Sequence, residues 1–235
     1  MKFIKTDSYE KLSHIGANII FAQLIAKEDS VLGLATGSSP VGIYKELIEL
    51  NKKGDIDFCK VKSINLDEYT GLDGTNDQSY RYFMNTNLFD SVNIDKANTF
   101  VPNGCAKDIK AECEAYDQRI KDMGIDIQLL GIGLDGHIGF NEPDSIFIKE
   151  THEVTLDEST IKANARFFES EDDVPKTAVT MGMGGIMSAK KILLIANGPA
   201  KKEILEKSFF GPITPEVPAS ILQLHPDVTV IYSEN

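Results

Sequence analysis

Residues 129–144 read LLGIGLDGHIGFNEPD, and this segment decides the fold that we expect. Its first half is an apolar run that ends in glycine-rich sequence, as a buried parallel strand does at the carboxyl edge of a sheet. Asp135, His137, Asn141 and Glu142 then follow within eight positions. An imidazole with a carboxylate on either side in sequence is suited to proton transfer, since a nearby anion favours the imidazolium. The density of polar groups favours a loop built around a bound molecule over a solvated loop with a surface histidine.

The apolar periodicity of the rest of the chain predicts alternating helices and strands. Before the opening segment, helices are predicted over residues 9–27, 79–89 and 106–123, and a further helix opens at the turn over residues 36–40 and carries Ile43, Leu47 and Leu50. Strands are predicted over residues 31–35, 61–66 and 126–131. After it, we predict a strand over 150–156, a helical segment over 159–168, a strand, glycine-rich turn, helix and strand over 177–198, and a short helix and last strand over 218–232. This order predicts an α/β fold with a mostly parallel sheet. Without repeats or linkers, residues 1–235 are predicted to form a single domain.

Composition limits the class of protein. The chain has 235 residues, of which 42% are apolar, enough to fill the core of one α/β domain. The formal net charge is −12, so nucleic acid and anionic membranes are unexpected partners and an anionic substrate would need a local cluster of basic residues. We predict a cytoplasmic protein, because neither a membrane span nor a secretory signal is present. The three cysteines form no C-x-x-C pair, which argues against disulfides or a zinc site.

The turn after the first predicted strand could bind an anion. Residues 36–40 read TGSSP and lead into a helix, whose N-terminal backbone N–H groups and positive dipole end would face a ligand. Hydroxyl groups of Thr36, Ser38 and Ser39 would add donors, with Ser38 or Ser39 capping the helix and Pro40 in its first turn. The local pattern fits an ordinary capped helix equally well. It matches neither of the common nucleotide-binding motifs.

Three other charged residues stand out by their positions. Asp67 ends the strand predicted over 61–66 and would face the ligand crevice, whereas Glu68 would point away and is interpreted as structural. Lys201 lies in the first turn of a helix, where the dipole disfavours a cation unless an anion is bound. Arg166 stands in an otherwise acidic region, where a surface salt bridge is the alternative interpretation.

Six separated segments of the chain resemble one family, the glucosamine-6-phosphate deaminases, in the same order. They are LGLATGSSP at 32–40, NLDEYTGL at 65–72, GIGLDGHIGFNEP at 131–143, NARFF at 164–168, TMGMGGIMSAKKILL at 180–194 and SILQLHP at 220–226. The resemblance implies a Rossmann-like, three-layer α/β sandwich. It also implies an amino-sugar phosphate isomerase and hydrolase that converts glucosamine 6-phosphate and water to fructose 6-phosphate and ammonia, with neither a metal nor an organic cofactor.

The resemblance also implies roles for individual residues. Asp67 matches the base that moves a proton from C2 to C1. His137 is similar to the group that opens the sugar ring by protonating its ring oxygen, with Asp135 and Glu142 as the partners that orient and charge it. The residues that match the family's phosphate-binding positions are Thr36, Gly37, Ser38, Arg166 and Lys201.

One difference from the family concerns regulation. Allosteric members carry an Arg and a Lys shortly after the NEP motif, as in TRIK, which hold an activating sugar phosphate between subunits. Residues 151–154 of this chain read THEV, with His152 and Val154 at the two cationic positions. The chain also ends soon after Tyr232, without the extension of longer hexameric members. We therefore expect a non-allosteric, monomeric enzyme.

Two other functions are compatible with parts of the pattern. A 6-phosphogluconolactonase would share the fold and a similar glycine-rich loop, with the histidine activating water, but would not be expected to carry Asp67 or the GFNEP ending. A non-catalytic sugar-phosphate sensor would bind the same ligand without needing Asp67, His137 and Glu142 together. Release of ammonia from glucosamine 6-phosphate distinguishes the deaminase from both.

Overall fold

The computed structural model describes residues 1–157, 161, 168, 170 and 174–234. Strands β1–β10 span Lys2–Thr6, Val31–Leu34, Lys62–Asn65, Asp67–Tyr69, Thr99–Phe100, Ile127–Leu130, His152–Thr155, Thr177–Thr180, Ile192–Asn197 and Val228–Ser233. Helices α1–α6 span Tyr9–Ala26, Val41–Lys53, Tyr80–Asn87, Ile109–Met123, Met183–Met187 and Lys201–Phe210. Short 3-10 helices cover Phe89–Ser91, Lys96–Asn98 and Pro218–Leu224.

A seven-stranded sheet forms the centre of the molecule, in the order β1-β10-β9-β6-β2-β3-β5. All of its neighbouring strands pair in parallel. Strands β2 and β6 are buried along their whole length, which explains their largely apolar sequences, with Gln128 of β6 as a buried polar residue. Helices flank the sheet, so the expected Rossmann-like α/β fold is confirmed.

A second, antiparallel sheet of three strands, in the order β4-β8-β7, was not expected. The sequence predicted that Asp67 would end the strand over residues 61–66. Instead, the chain leaves the large sheet after Asn65, and Asp67 opens β4 of the small sheet, opposite Thr180 of β8. The backbone N–H of Met181 donates to the carbonyl of Leu66, at 2.7 Å, and joins the two sheets at the point where the chain changes from one to the other.

The side chain of the N-cap residue caps three of the six described α-helices. Ser8 caps α1 and Asp108 caps α4, since each side chain accepts a hydrogen bond from a backbone N–H of its helix's first turn. Neither Ser38 nor Ser39 caps α2. Its N-cap is Pro40, and no side chain of the cap residue closes this helix end.

Two apolar clusters stabilise the two sheets. The larger surrounds the parallel sheet and includes Leu32, Leu129 and Leu194, and the smaller contains Tyr69, Phe140 and four further residues around the small sheet. Strands β1 and β5, which the sequence did not predict, lie at the edges of the large sheet. The helical segment predicted over 159–168 lies outside the described residues, apart from Ile161 and Phe168. No helix in the described part of the chain has the length and apolarity that a membrane span requires.

Candidate active site

A cleft of about 780 Å³ opens at the carboxyl edge of the large sheet, where parallel α/β sheets hold ligands. Its walls come from the chain segments that follow β2, β3, β6 and β9. Residues from several parts of the chain line this cleft, among them Tyr9, Thr36, Gly37, Ser38, Asp67, Tyr80, Asp135, His137, Asn197 and Lys201.

Most residues singled out from the sequence meet in this cleft. The turn over residues 36–38, Asp67, Asp135, His137 and Lys201 all line it, although they come from four separate parts of the chain. Glu142 lies behind the cleft wall and contacts His137. Arg166 lies outside the described residues.

His137 is held between two carboxylates. Its Nδ1 atom lies 2.8 Å from Asp135 Oδ1 and 3.2 Å from Glu142 Oε2. The loop is compact enough that a Cβ atom added to Gly133 would lie 2.4 Å from the His137 ring, so only glycine fits there. Because both acids share Nδ1, Nε2 is the ring nitrogen left for a ligand in the cleft.

The two acids charge the imidazole. Burial disfavours the imidazolium, but hydrogen bonds and attraction from Asp135 and Glu142 outweigh it and raise the pKa of His137 to about 9. Burial likewise acts to raise the pKa of Asp135, and the contact with His137 more than reverses this, so that its pKa lies well below the usual value. At neutral pH the group is therefore an imidazolium flanked by carboxylates.

The same three side chains satisfy the simplest geometric requirement of a metal site. One ligand atom from each of Asp135, His137 and Glu142 lies within 4.8 Å of the others. A metal ion would have to displace the Nδ1 proton, since only a deprotonated nitrogen can act as a ligand. The raised pKa of His137 makes that displacement costly at neutral pH and favours an ion-paired proton over a metal.

Asp67 is buried at the floor of the cleft, with 6% of its surface exposed. Burial, reinforced by repulsion from Glu68, raises its pKa to about 8 against an opposing attraction from His137. Asp67 also lies close to the loop that carries His137. A Cβ atom added to Gly139 of that loop would be only 3.4 Å from Asp67 Oδ2. The site thus brings a strongly basic carboxyl group and an imidazolium to one cleft.

Thr180 of β8 links the strand that carries Asp67 to the histidine loop. It pairs with Asp67 across the small sheet, and its Oγ1 atom accepts a hydrogen bond from the backbone N–H of Phe140 at 3.0 Å. Asn141, noted in the sequence as part of the polar loop, donates from its buried amide to the carbonyls of Ile138 and Met181. The role of Asn141 is therefore to fix the loop against the small sheet.

Glu68 has a different environment from its neighbour, as the sequence predicted. Its carboxylate accepts three backbone hydrogen bonds, from Tyr69, Tyr80 and Arg81, at 2.8–2.9 Å. Two of these donors belong to the first turn of α3, so Glu68 closes that helix end. Burial nevertheless raises the pKa of Glu68 to about 7, because these donors offset only part of the desolvation.

Tyr9 supplies the cap that the serines of the 36–40 turn do not. Its Oη atom accepts from the backbone N–H of Gly42 at 2.8 Å and lies 3.1 and 3.0 Å from the carbonyls of Ser38 and Ser39, to which it can donate. One hydroxyl group therefore holds the turn against the first turn of α2. Sequence reasoning missed this contact, because Tyr9 lies 30 residues away from Ser39 and reads as a helix residue.

Lys201 and Tyr80 are two further polar residues of the cleft. Lys201 is the first residue of α6, as predicted, and its Nζ atom donates to the carbonyl of Ile132 at 2.6 Å. Tyr80, which the sequence did not single out, is half-buried; its hydroxyl donates to that of Tyr69 at 3.4 Å and hydrogen-bonds Thr36. Burial raises the pKa of Tyr80 well above its usual value, so its hydroxyl stays protonated.

The fold and the site together define an α/β enzyme whose acid–base groups lie at the carboxyl edge of a parallel sheet. A family model described as glucosamine-6-phosphate isomerases/6-phosphogluconolactonase matches residues 7–231. The chain belongs to this family.

Relatives of known name show which members of the family this chain is most like. A glucosamine-6-phosphate deaminase of Lachnoclostridium phytofermentans is 64% identical over 98% of each chain. One of Clostridium perfringens is 57% identical over 100% of this chain and 98% of its own. The resemblance to the glucosamine-6-phosphate deaminases that the six segments indicated is confirmed, and the chain is an enzyme of that type.

Solved structures give the same result for the fold. The structure of a monomeric glucosamine-6-phosphate deaminase is 46% identical and superposes with a TM-score of 0.97, covering 99% of this chain and 97% of its own. A 6-phosphogluconolactonase from Thermotoga maritima superposes with a TM-score of 0.77 at 17% identity, covering 100% of this chain and 99% of its own. The second likeness shows a shared fold alone.

We predict that Asp67→Asn stabilises the protein. The folded-state pKa of Asp67, about 8, lies above its ordinary value of 3.8, so the free energy of unfolding falls as pH rises between these values. An amide does not ionise, and its advantage should grow from pH 5 to pH 8 and then level off, reaching up to about 5 kcal/mol. Thermal unfolding of both proteins at several pH values measures it.

Glu68→Gln is the matched control, and it should stabilise the protein less than Asp67→Asn does at pH 8. The pKa of Glu68 is raised less, to about 7, and its amide would turn an N–H group towards one of the three backbone donors, at a cost of about 1–3 kcal/mol. A smaller gain in melting temperature for Glu68→Gln, or a loss, would support the different environments described here. An equal or larger gain would contradict them.

Proposed function

We propose that the enzyme converts glucosamine 6-phosphate and water to fructose 6-phosphate and ammonia. The observation that carries the proposal is the convergence of a buried carboxyl group of raised pKa, a charged imidazole and an anion-binding turn on one cleft. The names of the relatives support the same substrate. Isomerase and deaminase describe this reaction better than hydrolase, because the C–N bond breaks only after an internal proton transfer.

In this proposal His137 opens the pyranose ring. Its imidazolium donates a proton from Nε2 to the ring oxygen and takes the proton of the anomeric hydroxyl in return, so that the bond between C1 and the ring oxygen breaks and an aldehyde forms at C1. Asp135 and Glu142 support this role because they hold Nδ1 at 2.8 and 3.2 Å and favour the charged imidazole. The imidazolium that this exchange restores would stabilise the C1 oxygen, on which negative charge develops in the next step.

Asp67 is proposed as the base of the isomerisation. It removes the proton from C2 and returns it to C1, while a second proton passes from the 2-amino group to the C1 oxygen, which converts the 2-amino aldose into the C2 imine of the ketose. Water then adds to C2 and ammonia leaves, which gives fructose 6-phosphate. A carboxyl group with a pKa of about 8 is a far stronger base than an ordinary aspartate, and the attraction of His137 favours its ionised form.

The phosphate is proposed to bind at the turn over residues 36–38 and Lys201. The N-terminus of α2 offers backbone N–H groups, Thr36 and Ser38 offer hydroxyls, and Lys201 brings a cation to an otherwise acidic protein. Arg166 joins this set by resemblance to the family. Binding energy from the phosphate would position C2 against Asp67, remote from the bonds that change.

A lactonase reaction fits the same cleft less well. A histidine that activates water must be neutral, whereas a pKa of about 9 keeps His137 protonated at physiological pH. Asp67, the most perturbed carboxyl group of the cleft, would have no task in lactone hydrolysis. A binding-only sensor would gain nothing from burying this group unpaired, since burial of a carboxyl group costs stability.

We predict that Asp67→Asn reduces ammonia release from glucosamine 6-phosphate by about 10²–10⁴-fold, as expected for loss of a general base. The assay measures ammonia and fructose 6-phosphate from purified wild type and variant. Substrate binding should persist in the variant, because the phosphate contacts remain.

The same assay tests the overall proposal. Wild type that binds the sugar phosphate but releases no ammonia would indicate the sensor instead. Hydrolysis of 6-phosphogluconolactone alone would indicate the lactonase, and a fully active Asp67→Asn variant would refute the assignment of the base.

The pH dependence of kcat/KM should follow the two perturbed groups. The active form needs Asp67 ionised and His137 protonated, so activity should rise as Asp67 ionises near pH 8 and fall as His137 loses its proton near pH 9. We expect kcat/KM at pH 6 to be roughly 50-fold lower than near pH 8.5.

The Asp135→Asn variant shows which limb of the pH profile comes from the enzyme. The substrate ionises in the same way with wild type and variant, so a difference between their profiles must come from the protein. Removing one of the carboxylates that raise the pKa of His137 should move the alkaline limb to lower pH and leave the acidic limb in place. An unshifted alkaline limb would rule out His137 as its source.

We further propose that the enzyme is monomeric and is not activated by a sugar phosphate. His152 and Val154 line a separate pocket of about 160 Å³, together with the acids Glu142, Asp144 and Asp157. No Lys or Arg is found among the described residues that line it, so a phosphate would meet repulsion there. The likeness to a monomeric deaminase supports the oligomeric state.

Accordingly, initial rates should depend hyperbolically on glucosamine 6-phosphate. Added N-acetylglucosamine 6-phosphate should leave the shape of the curve unchanged, because the pocket that holds His152 lacks the cations to bind it. A sigmoidal curve that this compound abolishes would contradict the prediction, and light scattering during the assay would test the monomer.

A further inference from the structure

Asn197 is a polar residue of the cleft to which neither the sequence motifs nor the proposed mechanism gives a task. It is the last residue of β9 and lines the cleft together with Ala200 and Lys201. Its Oδ1 atom is buried, and no donor among the described residues reaches it. A buried carbonyl without a donor is unfavourable, so its presence calls for a functional explanation.

The orientation of the amide shows what Asn197 offers to a ligand. Since Oδ1 is buried, Nδ2 is the other polar atom with which this cleft-lining side chain can meet a ligand. The opposite orientation would present a carbonyl oxygen instead. Asn197 thus offers two N–H donors at the cleft surface, which suits a ligand rich in acceptors.

The position of Asn197 identifies the part of the ligand that it would meet. It lies four residues before Lys201, on the same strand-to-helix connection. Lys201 in turn contacts the carbonyl of Ile132, which follows the neighbouring strand β6. Asn197 therefore belongs to the cationic end of the cleft, where the anion of the substrate is proposed to lie.

We propose that Asn197 is a further substrate-binding residue, whose amide donates a hydrogen bond to the phosphate group of the sugar phosphate. The inference rests on the proposed function for the identity of the sugar. Its chemistry requires only a phosphate, because the N–H donors of an amide bind an anion's oxygen atoms without adding a second cation beside Lys201.

Inorganic phosphate is the probe that isolates this contact from catalysis. Calorimetric titration of the folded protein should show that Asn197→Ala weakens phosphate binding about tenfold, as expected for the loss of a hydrogen bond to a charged group. Asn197→Asp should weaken it further, since a carboxylate would repel the phosphate. The KM for glucosamine 6-phosphate should rise in the same order.

The ranking of the two variants distinguishes binding from packing. If Asn197 only filled space, the nearly isosteric Asp would be milder than Ala. Asn85→Ala is the matched control, because Asn85 also has a buried Oδ1 atom without a donor among the described residues but does not line the cleft. It should leave phosphate binding unchanged. Melting temperatures close to that of wild type would establish that all variants are folded.

Two results would overturn the inference. One is unchanged phosphate affinity in both variants, which together with a raised KM would put Asn197 against the sugar. The other is a weaker phosphate affinity for the Ala variant than for the Asp variant. Failure of the proposed function looks different. In that case the predicted order for inorganic phosphate would hold while wild type released no ammonia from glucosamine 6-phosphate.

Discussion

The parallel direction of the large sheet is the constraint on which the site depends. Since all seven strands run the same way, the segments after β2, β3, β6 and β9 emerge at one edge, although they lie up to about 160 residues apart in sequence. The edge offers backbone N–H groups at helix N-termini and space for a ligand. Each of these segments needs to supply only one or two polar side chains, and the sheet brings them together without long loops.

Burial acts on the two central groups of the cleft in the same physical way and gives opposite outcomes. Desolvation disfavours charge on both Asp67 and His137. His137 keeps its charge because two carboxylates meet one nitrogen, whereas Asp67 has only a distant cation and a neighbouring acid. The partners within about 3 Å therefore decide which group is charged at neutral pH. His137 is the charged, proton-carrying group, and Asp67 is the carboxyl group of raised pKa.

The sequence predicted what depends on local pattern, and it missed what depends on distant contacts. The positions of most helices and strands, and the polar residues that meet in the cleft, could be predicted, because apolar periodicity and clusters of polar residues are local signals. The change of sheet at Leu66 could not be read, since Asp67 pairs with Thr180, more than 100 residues away. The same holds for the cap from Tyr9 and for the buried amide of Asn197, whose neighbours only the folded chain supplies.

The double attachment of Thr180 has a mechanical consequence. Strand β4, which carries Asp67, pairs with this residue, the His137 loop bonds to it, and Asn141 ties the same loop to Met181. We therefore expect small movements of the large sheet to have little effect on the spacing between Asp67 and His137. The turn over residues 36–38 lies between β2 and α2 instead. Thermal motion should therefore change the distance from this turn to Asp67 before it changes the distance between Asp67 and His137.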